Sequence, residues 1–249
     1  MLRSMRLGCD LDGVVANLHG AFVATAIELF PELDRAAIEA PTVGASPPVD
    51  HLHQDGTEDT PAAPAETDLV VSLRQTDEIW RRLSALDDFW ESLDEIEPGA
   101  IARLAAVADE RRWDVLFLTS RPPSEGATVQ RQTQRWLERH GFSLQSVFVV
   151  HGSRGRIAES MDLDVVIDDR PENCLDVVLE SKAGAVLVWR GAQSNVPASA
   201  RRLGIAVAPS VGRCLETLVE AERSRDGSLV ERLRRLFGLR TASSALLRR

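Results

Sequence analysis

Largely apolar runs rich in valine and isoleucine recur along the chain at 5–9, 115–118, 147–150, 165–167 and 185–189. Such runs, with no regular polar alternation, are what strands covered on both faces require. Between them the apolar positions shift to helical spacing, predicting helices over 98–111, 125–140, 154–160 and 171–181. Pro98 and Pro171 stand in the first turn, which tolerates a residue without an N–H. Strand and helix alternating in this way predict an α/β fold built on a doubly wound parallel sheet.

The interval from the first strand to Pro98 is too long for one crossover. It carries a predicted helix near 20–30, a stretch rich in Pro, Gly, Asp and Thr over 41–64, and an amphipathic segment over 76–93. In that segment Ile79, Trp80, Leu83, Leu86, Phe89, Trp90 and Leu93 recur at helical spacing, so its tryptophans are expected to pack against the body. Residues 20–97 therefore form an inserted, mainly helical cap, and 1–19 with 98–220 form the core. His51, His53 and Asp55 lie in the Pro-rich stretch and read as a solvated loop rather than a metal site.

The chain has 249 residues, 44% of them hydrophobic, enough for a substantial core. No run has the length of a membrane span, and the start lacks a secretory apolar segment, so a cytoplasmic location is expected. Cys9, Cys174 and Cys214 are far apart and odd in number, which suggests neither a disulfide framework nor a zinc site. A net charge of −9 argues against a nucleic-acid polymer as partner. The exception is 221–249, where eight arginines against three acids give +5 and leave −14 for the rest. Leu229, Val230, Leu233, Leu236 and Phe237 share one helical face there. That tail reads as a basic amphipathic helix for docking or self-association, ahead of an anionic partner.

The candidate chemistry stands where strands end. The first runs into Asp10-Leu11-Asp12-Gly13, and a turn at the glycine can aim both carboxylates into one space beyond the sheet. The second runs into Thr119-Ser120-Arg121 before Pro122-Pro123, a turn whose hydroxyls and N–H groups can bind phosphate oxygens. The fourth runs into Asp168-Asp169 before Arg170-Pro171. All three clusters belong at the carboxyl edge of one parallel sheet, where such folds bind ligands.

On these residues the chain resembles the haloacid dehalogenase-like (HAD) phosphohydrolase superfamily. Asp10-Leu11-Asp12-Gly13-Val14 matches its first motif, Thr119 its second and Asp168-Asp169 its fourth. Ile167-Asp168-Asp169-Arg170-Pro171-Glu172-Asn173, Leu118-Thr119-Ser120-Arg121-Pro122 and Phe89-Trp90-Glu91-Ser92-Leu93 resemble its 5'(3')-deoxyribonucleotidase-like branch. The resemblance implies a Rossmann-like core and a phosphomonoesterase acting on a small phosphorylated substrate, a nucleotide among the candidates. It makes Asp10 the nucleophile that becomes an aspartyl-phosphate and Asp12 the acid and base. It also implies Mg²⁺ held by Asp10, the backbone carbonyl of Asp12 and an acid of the fourth motif, with Asp168 direct and Asp169 in a second or water-mediated role. Thr119 and Ser120 would bind phosphate.

The departure is the third motif, where the superfamily has a lysine. The one lysine, Lys182, follows the fourth motif, and 28 of the 29 basic residues are arginine. Arg154 and Arg156 lie between the third and fourth strands and can supply the positive charge, although spacing does not choose between them. Four other readings share parts of this pattern. A phosphorylated receiver domain places its acidic pair first and its lone phosphoacceptor later, the reverse of this order. A non-catalytic HAD-like scaffold fits the missing lysine and the basic tail, but clustered, mutually repelling carboxylates speak against it. Asp12 argues against a dehalogenase, and the scaffold and a phosphomutase on the same acids stay open as alternatives.

Overall fold

The computed structural model describes residues 4–39, 71–223 and 231–232. Among them six parallel strands form one sheet: β1 (Arg6–Asp10), β2 (Asp114–Thr119), β3 (Ser146–Val149), β4 (Val165–Asp168), β5 (Gly184–Val188) and β6 (Ala206–Ala208). Their spatial order is β3-β2-β1-β4-β5-β6. The order reverses at β1, so the crevice between β1 and β4 is the topological switch point. Register places Cys9 beside Phe117 and Ile167, which carries the chain just beyond all three strands to the same edge.

Alternate strand residues serve two apolar layers. Leu7, Cys9, Val115, Phe117, Val165 and Ile167 face one layer. Leu116, Leu118, Val166 and Leu187 face the other. Helices α1 (Leu18–Leu29), α3 (Leu73–Ser84), α4 (Ala100–Arg111), α5 (Val129–Arg139) and α9 (Val211–Arg223) contribute to the first layer. Helices α6 (Arg154–Ser160), α7 (Pro171–Glu180) and α8 (Ala198–Leu203) contribute to the second. The short α2 (Arg35–Glu39) follows α1. Because α6 and α7 cover the face opposite α5, the chain crosses the sheet between β3 and β4, as right-handed connections require.

Several element ends differ from expectation. Helix α4 starts at Ala100, since Gly99 adopts φ +82° at its N-cap and puts Pro98 outside the helix. Helix α5 starts at Val129, capped by Thr128. The amphipathic 76–93 segment is two pieces: α3 stops at Ser84, Asp88 turns left-handed with φ +49°, and a 3₁₀ turn, Phe89–Glu91, follows. Both tryptophans of that stripe are buried, in the same apolar layer as α4 and α5. Strand β6, at the sheet edge, was not expected. The stretch 41–64 with His51, His53 and Asp55, and Leu229, Val230, Leu233, Leu236 and Phe237 of the tail, lie outside the described residues. No helix among those described is long and apolar enough to cross a membrane.

Candidate active site

Strand β1 ends in a turn that separates its two carboxylates. Gly13 takes φ +84°, a left-handed conformation that costs a residue with a Cβ. Its N–H reaches Ala16 O at 3.0 Å, and the N–H groups of Val15 and Ala16 both reach Leu11 O. Arg190, just beyond β5, clamps this loop by donating to Gly13 O at 2.6 Å and Val14 O at 2.8 Å. Asn17 then caps α1 through Gly20 N–H.

Asp10 is buried and accepts from Arg154 Nη2 at 2.9 Å. Arg154 Nε also stands 3.7 Å from Asp168 Oδ2, so one buried guanidinium spans the ends of β1 and β4. One carboxylate oxygen from each of Asp10, Asp168 and Asp169 lies within 4.8 Å of the others. Burial pushes the Asp10 carboxyl well above its usual range. The Asp168 charge adds to this, and Arg154 opposes it. Burial also raises Asp168, against Arg154, the Arg170 N–H at 2.9 Å and Asn173. Asn173 Nδ2 donates to both Asp168 oxygens, at 3.1 and 3.0 Å. The Arg170 charge also favours ionised Asp168, and an all-oxygen set of three buried acids suits a hard divalent cation.

Asp12 lies apart from that trio, on Arg121. Arg121 Nε donates to Asp12 Oδ2 at 2.8 Å and Oδ1 at 3.1 Å, and Nη2 donates to Oδ1 at 2.7 Å. Both carboxylates still line one cavity of about 20 Å³, together with Ser120, Arg154 and Asn173.

The structure thus brings Asp10, Asp12, Ser120, Arg154, Asp168 and Asp169 to one edge of the sheet. Thr119 ends β2 there, but its Oγ1 accepts from Arg121 N at 3.2 Å, so it also braces the turn. Arg156 is not brought to the site. Its side chain is 83% exposed and pairs with Glu180 at 3.9 Å. Residues two apart on a helix point about 200° apart, so α6 can present only one of its two arginines. The phase is set by Gly155, where an added Cβ would stand 2.1 Å from Asp176 O on α7. Sequence reasoning missed Asn173 and the tie between Arg121 and Asp12. Asn173 sits on the first turn of α7, and Arg121 follows the hydroxyl pair directly, positions that the topology carries to this edge.

No protein-family model matches the chain, and no curated protein matches it either. Among solved structures it is similar to a HAD-family hydrolase from Deinococcus radiodurans with bound phosphate and sodium, at 17% identity and TM-score 0.51, covering 92% of this chain and 97% of that one. It is also similar to a phosphonoacetaldehyde hydrolase-like protein from Oleispira antarctica, at 13% identity and TM-score 0.52, covering 93% and 94%. At these identities the likeness is one of fold.

Proposed function

We propose that the protein is a Mg²⁺-dependent phosphomonoester hydrolase of the HAD type, working through an aspartyl-phosphate on Asp10. The observation that carries this reading is Asp10, paired with Arg154 at 2.9 Å and clustered with Asp168 and Asp169 at the carboxyl edge of the sheet. A carboxylate oxygen of Asp10 attacks phosphorus, and the bond from phosphorus to the ester oxygen breaks. The departing oxygen takes its proton from the Asp12 carboxyl. Water then attacks the phosphoryl group and gives its proton to Asp12, and the bond to Asp10 breaks to release phosphate.

Arg154 does the work of the absent lysine, offsetting charge on the nucleophile and on the phosphoryl oxygens. Ser120 and the turn N–H groups are suited to the same oxygens. Mg²⁺ would be held by Asp10, the Asp12 carbonyl and an acid of the Asp168–Asp169 pair, and it supplies charge neutralisation that lets carboxylates and phosphate share the pocket. Asn173 and the Arg170 N–H fix the Asp168 carboxylate, the acid the sequence expectation makes the direct ligand.

The cavity of about 20 Å³ has room for little more than a water, so an ester enters only as the site widens. The inserted segment 20–97 is the proposed cap that closes over it. Nucleoside monophosphates are the first substrates to test, on the resemblance of the 89–93, 118–122 and 167–173 segments to deoxyribonucleotidases. A panel of phosphate esters with Mg²⁺ and with EDTA tests the reading. Phosphate release that needs the metal and is lost in Asp10→Asn supports it, and turnover unchanged in that variant refutes the mechanism. Substrate isomerised without free phosphate would make the protein a mutase on the same acids.

A further inference from the structure

Arg121 is an arginine with a fully buried side chain, held on every edge. Two of its nitrogens grip Asp12, and Nη1 donates to Thr133 Oγ1 at 3.0 Å. Its guanidinium carbon lies 4.8 Å from the centre of the Trp90 ring. Trp90 is fixed in turn, its indole N–H on Pro122 O at 3.1 Å and its backbone N–H on the buried Gln132 Oε1 at 2.9 Å. A planar, bidentate, stacked guanidinium restricts its carboxylate to one orientation, which a lysine in the same place would not do.

We propose that Arg121 is a positioning residue that aims the Asp12 carboxyl at the leaving oxygen, with Thr133 and Trp90 fixing the guanidinium plane. The inference rests on the phosphomonoesterase reading and deepens it. Asp10 is held by Arg154 and Asp12 by Arg121, so nucleophile and acid are oriented by separate cations. Trp90 is itself buried in the apolar layer shared with α4 and α5, so the plane of the guanidinium is set by the packed core.

The test is the dependence of kcat/KM on the leaving group, measured on the whole protein with phenyl phosphate and p-nitrophenyl phosphate in Mg²⁺. A well-placed acid matters for the basic phenolate and hardly for nitrophenolate, which departs without a proton. Arg121→Lys is expected to lose about 10²-fold on phenyl phosphate, the cost of a misplacement of about 1 Å, and no more than about threefold on the nitro ester. Asp12→Asn should show the same pattern more steeply. Equal losses on both esters would mean that Arg121 merely braces the fold, and would overturn the inference, as would no loss on either.

Should position 121 tolerate no change, Thr133→Val withdraws one contact and keeps the ion pair. It should shift the ratio in the same direction by about threefold or more, and an unmoved ratio overturns the inference. The two readings fail differently. If wild-type protein hydrolyses neither ester nor any of the panel, the phosphomonoesterase reading falls and takes this one with it. If Asp12→Asn is selective for the leaving group and neither Arg121→Lys nor Thr133→Val is, only the positioning role falls.

Discussion

Replacing Asp10, the proposed nucleophile, should make the metal-free protein more stable. Asp10 faces Asp168 and Asp169 with acid oxygens within 4.8 Å. At an effective dielectric of about 20, each such pair costs at least about 3.5 kcal/mol, so the two cost at least about 7 kcal/mol. Arg154, at 2.9 Å, offsets about 6 kcal/mol by the same relation. The Asp10 charge is therefore unfavourable by at least about 1 kcal/mol before desolvation, which adds to it. Protonation limits the total, because the carboxyl can take a proton rather than bear the full cost. Asp10→Asn keeps the shape and an oxygen for Arg154 Nη2, and Arg154 still has Asp168 nearby, so no cation is orphaned.

The expected gain is about 1–2 kcal/mol, or about 2–8 °C in Tm for a chain of this size. Thermal unfolding followed by circular dichroism in EDTA measures it. Mg²⁺ should reverse the order, since an ion that binds only the folded wild-type site stabilises it in proportion to RT ln(1 + [L]/Kd), and Asp10→Asn loses a ligand. If Asp10→Asn melts at or below wild type in EDTA, the cluster is not strained by its charge, and the argument for a divalent cation there loses its physical basis.

The same gain should depend on pH. Asp10 is raised in the folded state, so the stability it contributes is complete below the unfolded value of about 3.9 and is lost as pH rises through the higher folded one. The advantage of Asp10→Asn in EDTA should vanish near pH 4 and grow toward neutrality, as paired melts across that window will show. Arg154→Met should lose about 10²–10³-fold in kcat/KM on any ester the wild type turns over. Arg156→Ala, altering an exposed surface pair, should stay within about twofold in the same assay. Gly155→Ala drives a methyl into Asp176 O and must part α6 from α7, costing about 1–3 kcal/mol in a urea melt.

What could be read from the sequence depends on how each position is fixed in space. Asp10, Thr119, Asp168 and Asp169 follow apolar runs directly, and parallel strands deliver their carboxyl ends to one edge whatever the side chains do, so order along the chain suffices to group them. Strand β6 escaped because Ala206–Ala208 is three residues long, too short for a pattern to stand out from the flanking helices. Arg154 and Arg156 were indistinguishable because helix phase decides between them, and that phase rests on a backbone contact with α7, which no spacing encodes. Arg121 is the harder case. The sequence places it at the right edge, but its partner is chosen by Thr133 from α5 and Trp90 from the inserted segment, which meet only in the folded chain. A carboxylate is legible as a site group when its own strand delivers it. When a distant cation holds it, as Arg121 holds Asp12, the sequence names the group but not its orientation, and the proposed general acid is the part of the proposed mechanism that most needs the structure.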